Sequence, residues 1–406
     1  MLTGAMPARA EARPEAIPED ARRAVVVHVT TVPMSLGHLS GQVGYVERRG
    51  FAIHVITSPG PELDVFAGRE GVAVHAIPME RAITPGKDLL ALWRLWRTFR
   101  RIRPDVVHSH TPKGGLLGMV AAALARVPVR VYHIRGLPFT TATGLRRPLL
   151  RASELVSCRL ADRVLAVSHS MRAIAIQEGF CPPDKVKVLL GGSGNGVDAD
   201  MRFRPPRDDE RRLARATHGI PGGALVIGFV GRLTREKGTR ELAEAWRDLR
   251  ERWPRARLLL VGPVEAQDAG TRRALSSLRS DARVHFAGRV EDTVPLYAAM
   301  DVVALPTYRE GFPNVAMEAA AMALPIVASH VPGCRDAIED GVTGTLVPAR
   351  DPLALARGLE RYLLDARLRA RHGESGRRRV LAEFRREAIW EAIAAEYDRL
   401  LEERAT

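Results

Sequence analysis

At 406 residues the chain is long enough for two ordinary hydrophobic cores. Hydrophobic residues make up 46% and charged residues 27%, which excludes a disordered chain, and no apolar run reaches the roughly 18 residues of a membrane span. The 61 basic residues outnumber the 47 acidic ones, for a net charge of +14. A general bias toward arginine would produce that sum, and so would a basic face attracted to anionic lipid or phosphorylated substrates. The tryptophans and tyrosines do not interleave with basic residues as in a single-strand binder, so no nucleic-acid partner is expected. Cys158, Cys181 and Cys334 are scattered, with neither metal-ligand spacing nor a disulfide framework. No secretory pattern opens the sequence, and a cytoplasmic location is expected.

Residues 1–23 lack periodicity and read as a flexible tail. β-Branched runs then alternate with helical patterns. Strands are predicted at Ala24–Thr30, Phe51–Ser58, Val72–Ile77, Asp105–Ser109, Val129–His133 and Arg163–Val167, with helices such as Asp88–Arg103 and Leu116–Arg126 between them. At Val188–Pro206 glycine, proline and charge crowd together as a linker. A second series follows, with strands at Leu225–Val230, Ala256–Val261, Val284–Phe286, Val302–Leu305, Pro325–Ala328 and Thr345–Val347, and closing helices at Ala356–Leu364 and Phe384–Leu401. Strands spaced by helices imply parallel sheets covered on both faces. The predicted class is therefore α/β, with two Rossmann-like αβα domains, 24–200 and 207–383, facing across a deep cleft. Residues 384–406 form a last helix long enough to cross back to the first domain. Ligands of such sheets sit beyond the carboxyl ends of the strands.

Two loops in those positions carry chemistry. After Leu225–Val230 comes Gly231-Arg232-Leu233-Thr234-Arg235-Glu236-Lys237-Gly238. Glycine lets the chain turn off the strand, Arg232 and Lys237 supply cations, and a helix starting near Gly238 or Thr239 adds free N–H groups. An exposed charged turn would read the same way; a diphosphate site needs these parts together. After Val302–Leu305 comes Glu310-Gly311-Phe312-Pro313-Asn314-Val315-Ala316-Met317-Glu318. Here two carboxylates bracket a helix start, and paired acceptors suit the hydroxyls of a ribose or a sugar.

These letters resemble the family-4 retaining glycosyltransferases, which have the GT-B fold. Glu310 through Glu318 is similar to their E-x7-E motif and Gly231-Arg232…Lys237-Gly238 to their phosphate loop. Asn195-Gly196-Val197-Asp198 resembles their interdomain segment, and Val331-Pro332-Gly333-Cys334-Arg335-Asp336 their following loop. Ser109-His110-Thr111-Pro112-Lys113-Gly114-Gly115 and Arg135-Gly136-Leu137-Pro138-Phe139 look like the branch that extends lipid-linked glycans for capsule, O-antigen or glycoprotein.

The resemblance implies a UDP-sugar donor carrying an N-acetylated hexose, a polyprenyl-diphosphate-linked sugar as acceptor, and no dedicated metal. It implies that Arg232 and Lys237 hold the diphosphate with Gly231 and Arg289 beside them. Glu318 would take the ribose, and Glu310 the transferred sugar with the backbone of Gly311, Phe312, Pro313, Asn314 and Val315. His110 and Lys113 would lie on the acceptor side. The family often places a histidine just before the glycine that here is Gly136; this chain has Arg135 there and His133 two residues earlier, and either could serve.

His108 and His110 point the same way from a strand end, but no third ligand at metal spacing is visible, so they read as cleft-lining or packing residues. In Asp88–Arg103, Leu89, Leu92, Trp93, Trp96 and Phe99 are apolar and Arg94, Arg97, Arg100, Arg101 and Arg103 supply charge. An ordinary packed amphipathic helix gives that pattern, and so does a basic surface resting on the cytoplasmic leaflet of a membrane. Leu145–Arg159 could extend the same face. Two further readings stay open: the same chemistry on a soluble acceptor, and a sugar-nucleotide-binding protein without activity.

Overall fold

The computed structural model describes residues 23–406; nearly all of the tail predicted at 1–23 lies outside the described residues. The first sheet contains β1 (Val25–Val29), β2 (Ala52–Thr57), β3 (Ala73–Ala76), β4 (Val106–His110), β5 (Val129–Ile134), β6 (Arg163–Ala166) and β7 (Val186–Lys187). Its order is β3-β2-β1-β4-β5-β6-β7, and every pairing is parallel. The second contains β8 (Leu225–Val230), β9 (Ala256–Val261), β10 (Val284–Gly288), β11 (Val302–Leu305), β12 (Ile326–Ser329) and β13 (Gly344–Val347). Its order is β10-β9-β8-β11-β12-β13, again all parallel. Each sheet thus reverses direction once, between β1 and β4 and between β8 and β11. Those two gaps are the switch points at which open α/β sheets bind ligands.

The strands carry near-continuous apolar runs because helices cover both faces: Val26, Val27 and Val29 of β1 and Leu258, Leu259 and Leu260 of β9 are buried. Two helices start earlier than their apolar period suggests. They run Pro85–Ile102 and Pro112–Leu124, each with proline in its first turn, where the fixed φ and missing N–H cost nothing. The extra strand β7 has only two residues, too few to show a period, and it directly precedes the predicted linker.

The final helix, Arg386–Ala405, leaves the second unit and packs on the first. Ile389, Ile393, Tyr397 and Leu400 share one buried cluster with Val26, Val55 and Val106. Glu396, 3% exposed, receives Lys187 at 2.8 Å and Arg399 at 2.6 Å. Trp390 donates its indole N–H to Asn195 Oδ1 at 2.7 Å, which ties the interdomain segment to this helix. The crossing helix therefore clasps the first domain through burial, and truncating it should be felt there. Ile389→Ala is expected to cost about 2–5 kcal/mol, the usual range for a fully buried isoleucine, read as a lowered urea midpoint; an unchanged midpoint would mean the helix is not docked.

Candidate functional site

The loop after β8 and the loop after β11 leave neighbouring strands at the second switch point, and the backbone fastens them together. The amide of Tyr308 donates to Glu236 O at 2.8 Å, and Arg309 reaches the Glu236 carboxylate at 3.0 Å. Gly238 has φ +75°, and a Cβ there would stand 2.0 Å from Pro306 O, so only glycine permits both the turn and the approach. The consequence is a direct ion pair between Lys237 Nζ and Glu310 Oε1 at 2.5 Å, with the two side chains 26% and 13% exposed. Arg232 stands beside them and pairs with Glu265 at 2.7 Å. The helix Thr239–Arg252 starts immediately after this loop, so its unsatisfied N–H groups and positive end lie next to the same cations.

The first domain closes the site from the other side. A Cβ on Gly311 would meet Arg135 O at 2.0 Å, which places the β5 loop directly against the β11 loop. Between them lies a cavity of about 320 Å³ whose walls include Arg135, Leu137, Arg232, Lys237, Tyr308 and Glu310. Its charged groups come from both domains.

Arg135 is held by the first switch point. Its Nε donates to His110 Nδ1 at 3.1 Å. Burial and the nearby guanidinium push the His110 imidazole well below its ordinary value, so it is neutral and its remaining proton is on Nε2. That Nε2–H faces His28 Nδ1 at 3.0 Å, which leaves the Nε2–H of His28 buried without a partner. His108 Nδ1 meets the Tyr397 hydroxyl of the crossing helix at 2.5 Å. The in-register pairing of His28 with His108 across β1 and β4 assembles this group.

One nitrogen from each of His28, His108 and His110 lies within 4.8 Å of the others, so a third histidine does exist; it comes from β1, far away in sequence. A metal-bound imidazole normally donates its second N–H to a carbonyl or carboxylate. Here the second nitrogen of His110 accepts from a cation instead. That chemistry suits a relay that orients Arg135 better than a metal ion.

The remaining predicted residues divide clearly. Gly231 turns the chain off β8, and Gly311 lines the cavity. Phe312 is buried against Phe384, while Pro313 caps and Asn314 and Val315 open the helix Asn314–Ala321. Glu318 lies in that helix, away from the cavity walls, and accepts from the Tyr297 hydroxyl at 2.7 Å. Of the two alternatives before Gly136, Arg135 lines the cavity, whereas His133 is 2% exposed and stays within the histidine cluster. Arg289 is not in the cavity wall: it reaches Glu62 of the first domain at 3.5 Å and so bridges the cleft rim. His110 is buried behind Arg135, and Lys113 is neutralised by Asp88 at 2.7 Å. Tyr297 and Glu265 were not anticipated. Glu265 lies just beyond β9, where the strand-end rule points, but nothing in the sequence marks Tyr297.

Residues 38–192 match the glycosyl transferase 4-like domain family, and residues 224–365 match the family of glycosyl transferases group 1. The capsular polysaccharide biosynthesis glycosyltransferase CapM of Staphylococcus aureus is 31% identical over 378 residues, 93% of this chain and 98% of the relative. The chain is a group 1 glycosyltransferase of the GT-B fold. A second relative of this glycosyltransferase, the Escherichia coli UDP-Gal:alpha-D-GlcNAc-diphosphoundecaprenol alpha-1,3-galactosyltransferase, is 27% identical over 67% of this chain and 69% of its own. The fold matches that of Anabaena HepE, crystallised with UDP, at a TM-score of 0.76 and 21% identity over 93% of this chain and 100% of the other.

Burial pushes the Glu318 carboxyl above its ordinary range, while the Tyr297 hydroxyl and the charge of Arg202 pull it down. A ribose hydroxyl on Glu318, the role the resemblance implies, would need the ionised carboxylate as acceptor, so acid would weaken binding as Glu318 protonates. UDP affinity is expected to fall, as pH is lowered, at a higher pH than for an ordinary glutamate. Tyr297→Phe removes a group that favours the ionised form and should shift that fall further upward; titration calorimetry across pH reads both, and a downward shift would contradict the assignment.

Proposed function

We propose that this glycosyltransferase is a retaining family-4 enzyme that moves an N-acetylhexosamine from a UDP-sugar to a polyprenyl-diphosphate-linked sugar in surface glycan biosynthesis. The observation that carries the reading is the Lys237–Glu310 pair facing Arg135 across one cavity. A nucleotide diphosphate takes Lys237 and Arg232 as its cations and frees Glu310 to accept from a hydroxyl of the transferred sugar. Arg135 faces the reacting centre from the acceptor side. The anomeric carbon–oxygen bond to the diphosphate breaks while the acceptor oxygen attacks from the same face, and the leaving phosphate oxygen takes the acceptor proton. The protein contributes orientation and preorganised positive charge where the diphosphate departs. No resident metal is part of this scheme. The printed activities of the S. aureus and E. coli relatives support the surface-glycan and lipid-linked parts.

Membrane contact belongs to the same reading. In the helix Pro85–Ile102, Ala91, Leu95 and Phe99 face the core, so Leu89, Trp93 and Trp96 stand on the outward side beside Arg97, Arg100 and Arg101. An apolar stripe flanked by arginines suits the interface of an anionic bilayer. Among the described residues no helix is long and apolar enough to cross a membrane.

Lys237→Ala is expected to slow UDP release in the presence of a lipid-linked acceptor by at least ~100-fold, as when one charge-stabilising donor is removed; wild-type turnover would remove Lys237 from the mechanism. No UDP release with any acceptor would favour a binding protein without activity, and release that responds only to a water-soluble acceptor would favour a soluble-acceptor enzyme. Reversing Arg97, Arg100 and Arg101 to glutamate should abolish flotation with phosphatidylglycerol vesicles, and unchanged flotation would refute the membrane face.

A further inference from the structure

Large apolar side chains are exposed unevenly. Eight of the eighteen exposed among the described residues fall in two short stretches, 83–96 and 145–156, so a common cause is needed. The second stretch is the start of the helix Arg146–Leu160, where Leu145, Leu149, Ala152 and Val156 recur at helical spacing on one face. Leu145 is 90% exposed and Leu149 50%. The buried side of that helix holds Ser157 and Cys158, so the apolar stripe is not a core face left uncovered by chance.

Both stretches border a trough of about 490 Å³. Ile83, Pro112, Leu116, Leu149 and Val156 are the main apolar residues among those that line it. Thr31 and Thr111, at the carboxyl ends of β1 and β4, place the trough at the first switch point. Two unneutralised cations, Arg81 and Arg146, join the lining, and no salt bridge engages either among the described residues; Lys113 is occupied by Asp88. Pro138 lines the trough while its neighbour Leu137 lines the cleft cavity, so the two spaces adjoin.

We propose that this trough binds the first isoprene units of the acceptor's lipid carrier, with Arg81 and Arg146 against its diphosphate. The inference rests on the lipid-linked acceptor proposed above and adds where the lipid goes. Along such a substrate the groups are sugar, diphosphate and hydrocarbon, and this surface offers a polar cleft, two cations and an apolar trough side by side. A soluble acceptor would leave the exposed Ile83, Leu149 and Val156 of the trough without a partner, and exposed apolar groups gathered around one hollow mark a binding surface. The trough takes part of the chain out of the bilayer, and the outward stripe of the neighbouring helix rests on the membrane beside it.

The test uses the full chain with UDP at saturation, so that the cleft's own phosphate site is filled, and farnesyl diphosphate as the probe in calorimetry without membranes. Farnesyl diphosphate is expected to bind at least ~10-fold more tightly than inorganic diphosphate, because only the former buries hydrocarbon. Ala152→Trp, which fills the trough from an exposed position, and Leu149→Glu should each cancel that advantage while UDP affinity stays unchanged. Farnesyl diphosphate binding no tighter than inorganic diphosphate, or untouched by both variants, would overturn the proposal. Equally tight binding of dodecyl phosphate would reassign the trough to ordinary lipid chains and overturn the isoprenoid assignment. Failure of the wild type to bind UDP would instead count against the donor reading, so the two failures are distinguishable.

Discussion

The site depends on one ion pair, Lys237 with Glu310, formed because two loops leave adjacent strands at a sheet's switch point and are fastened to each other by backbone. A half-buried pair of this kind adds little net stability, since the cost of desolvating both charges offsets most of their attraction. That balance is useful for a binding site. In the proposed reaction, exchanging the carboxylate for a diphosphate on Lys237 would replace one compensated charge by another and would free the Glu310 carboxylate for a sugar hydroxyl. Arg232 and Glu265 repeat the arrangement at the neighbouring corner. The unliganded site thus keeps its cations oriented by partners of its own.

The first domain applies the same logic with neutral groups. Among the described residues no carboxylate pairs with Arg135; it is oriented by His110, whose tautomer is dictated by the guanidinium and relayed to His28. The adjacent His108 is fixed by Tyr397 from the crossing helix, a segment 289 positions later in the chain. The histidine cluster thus touches the last helix through His108 and the cleft through Arg135. The contact of Gly311 with the Arg135 carbonyl brings the relay to the donor loops.

The repeated βα rhythm was legible in the sequence because most strands are apolar runs buried on both faces, unlike the partly exposed β3 and β10, and that signal survives without tertiary information. The phosphate loop and the carboxylate pair were legible for the same reason: each is contiguous and follows a strand. What the letters hid was pairing across elements. His28 and His110 are 82 positions apart and meet only through strand register. The spacing of Glu310 and Glu318 suggested two acceptors on one rim; only Glu310 lines the cavity, and Glu318 stands outside its wall with the Tyr297 hydroxyl on its carboxylate, a partner that the letters do not show. The resemblance implied that Arg289 contacts the donor; here its side chain, after β10, reaches across the rim to Glu62. Strand alternation does not separate Arg135 from His133, which are two positions apart; burial does, since His133 lies inside the strand and is buried whereas Arg135 stands past its end in the cavity wall.

The most direct measurement is a crystal structure with an intact or hydrolysed UDP-sugar bound. The diphosphate should lie against Lys237 and Arg232, with the Lys237–Glu310 contact opened and the Glu310 carboxylate turned onto a sugar hydroxyl. A nucleotide bound elsewhere while that contact stays closed would contradict the account at its root.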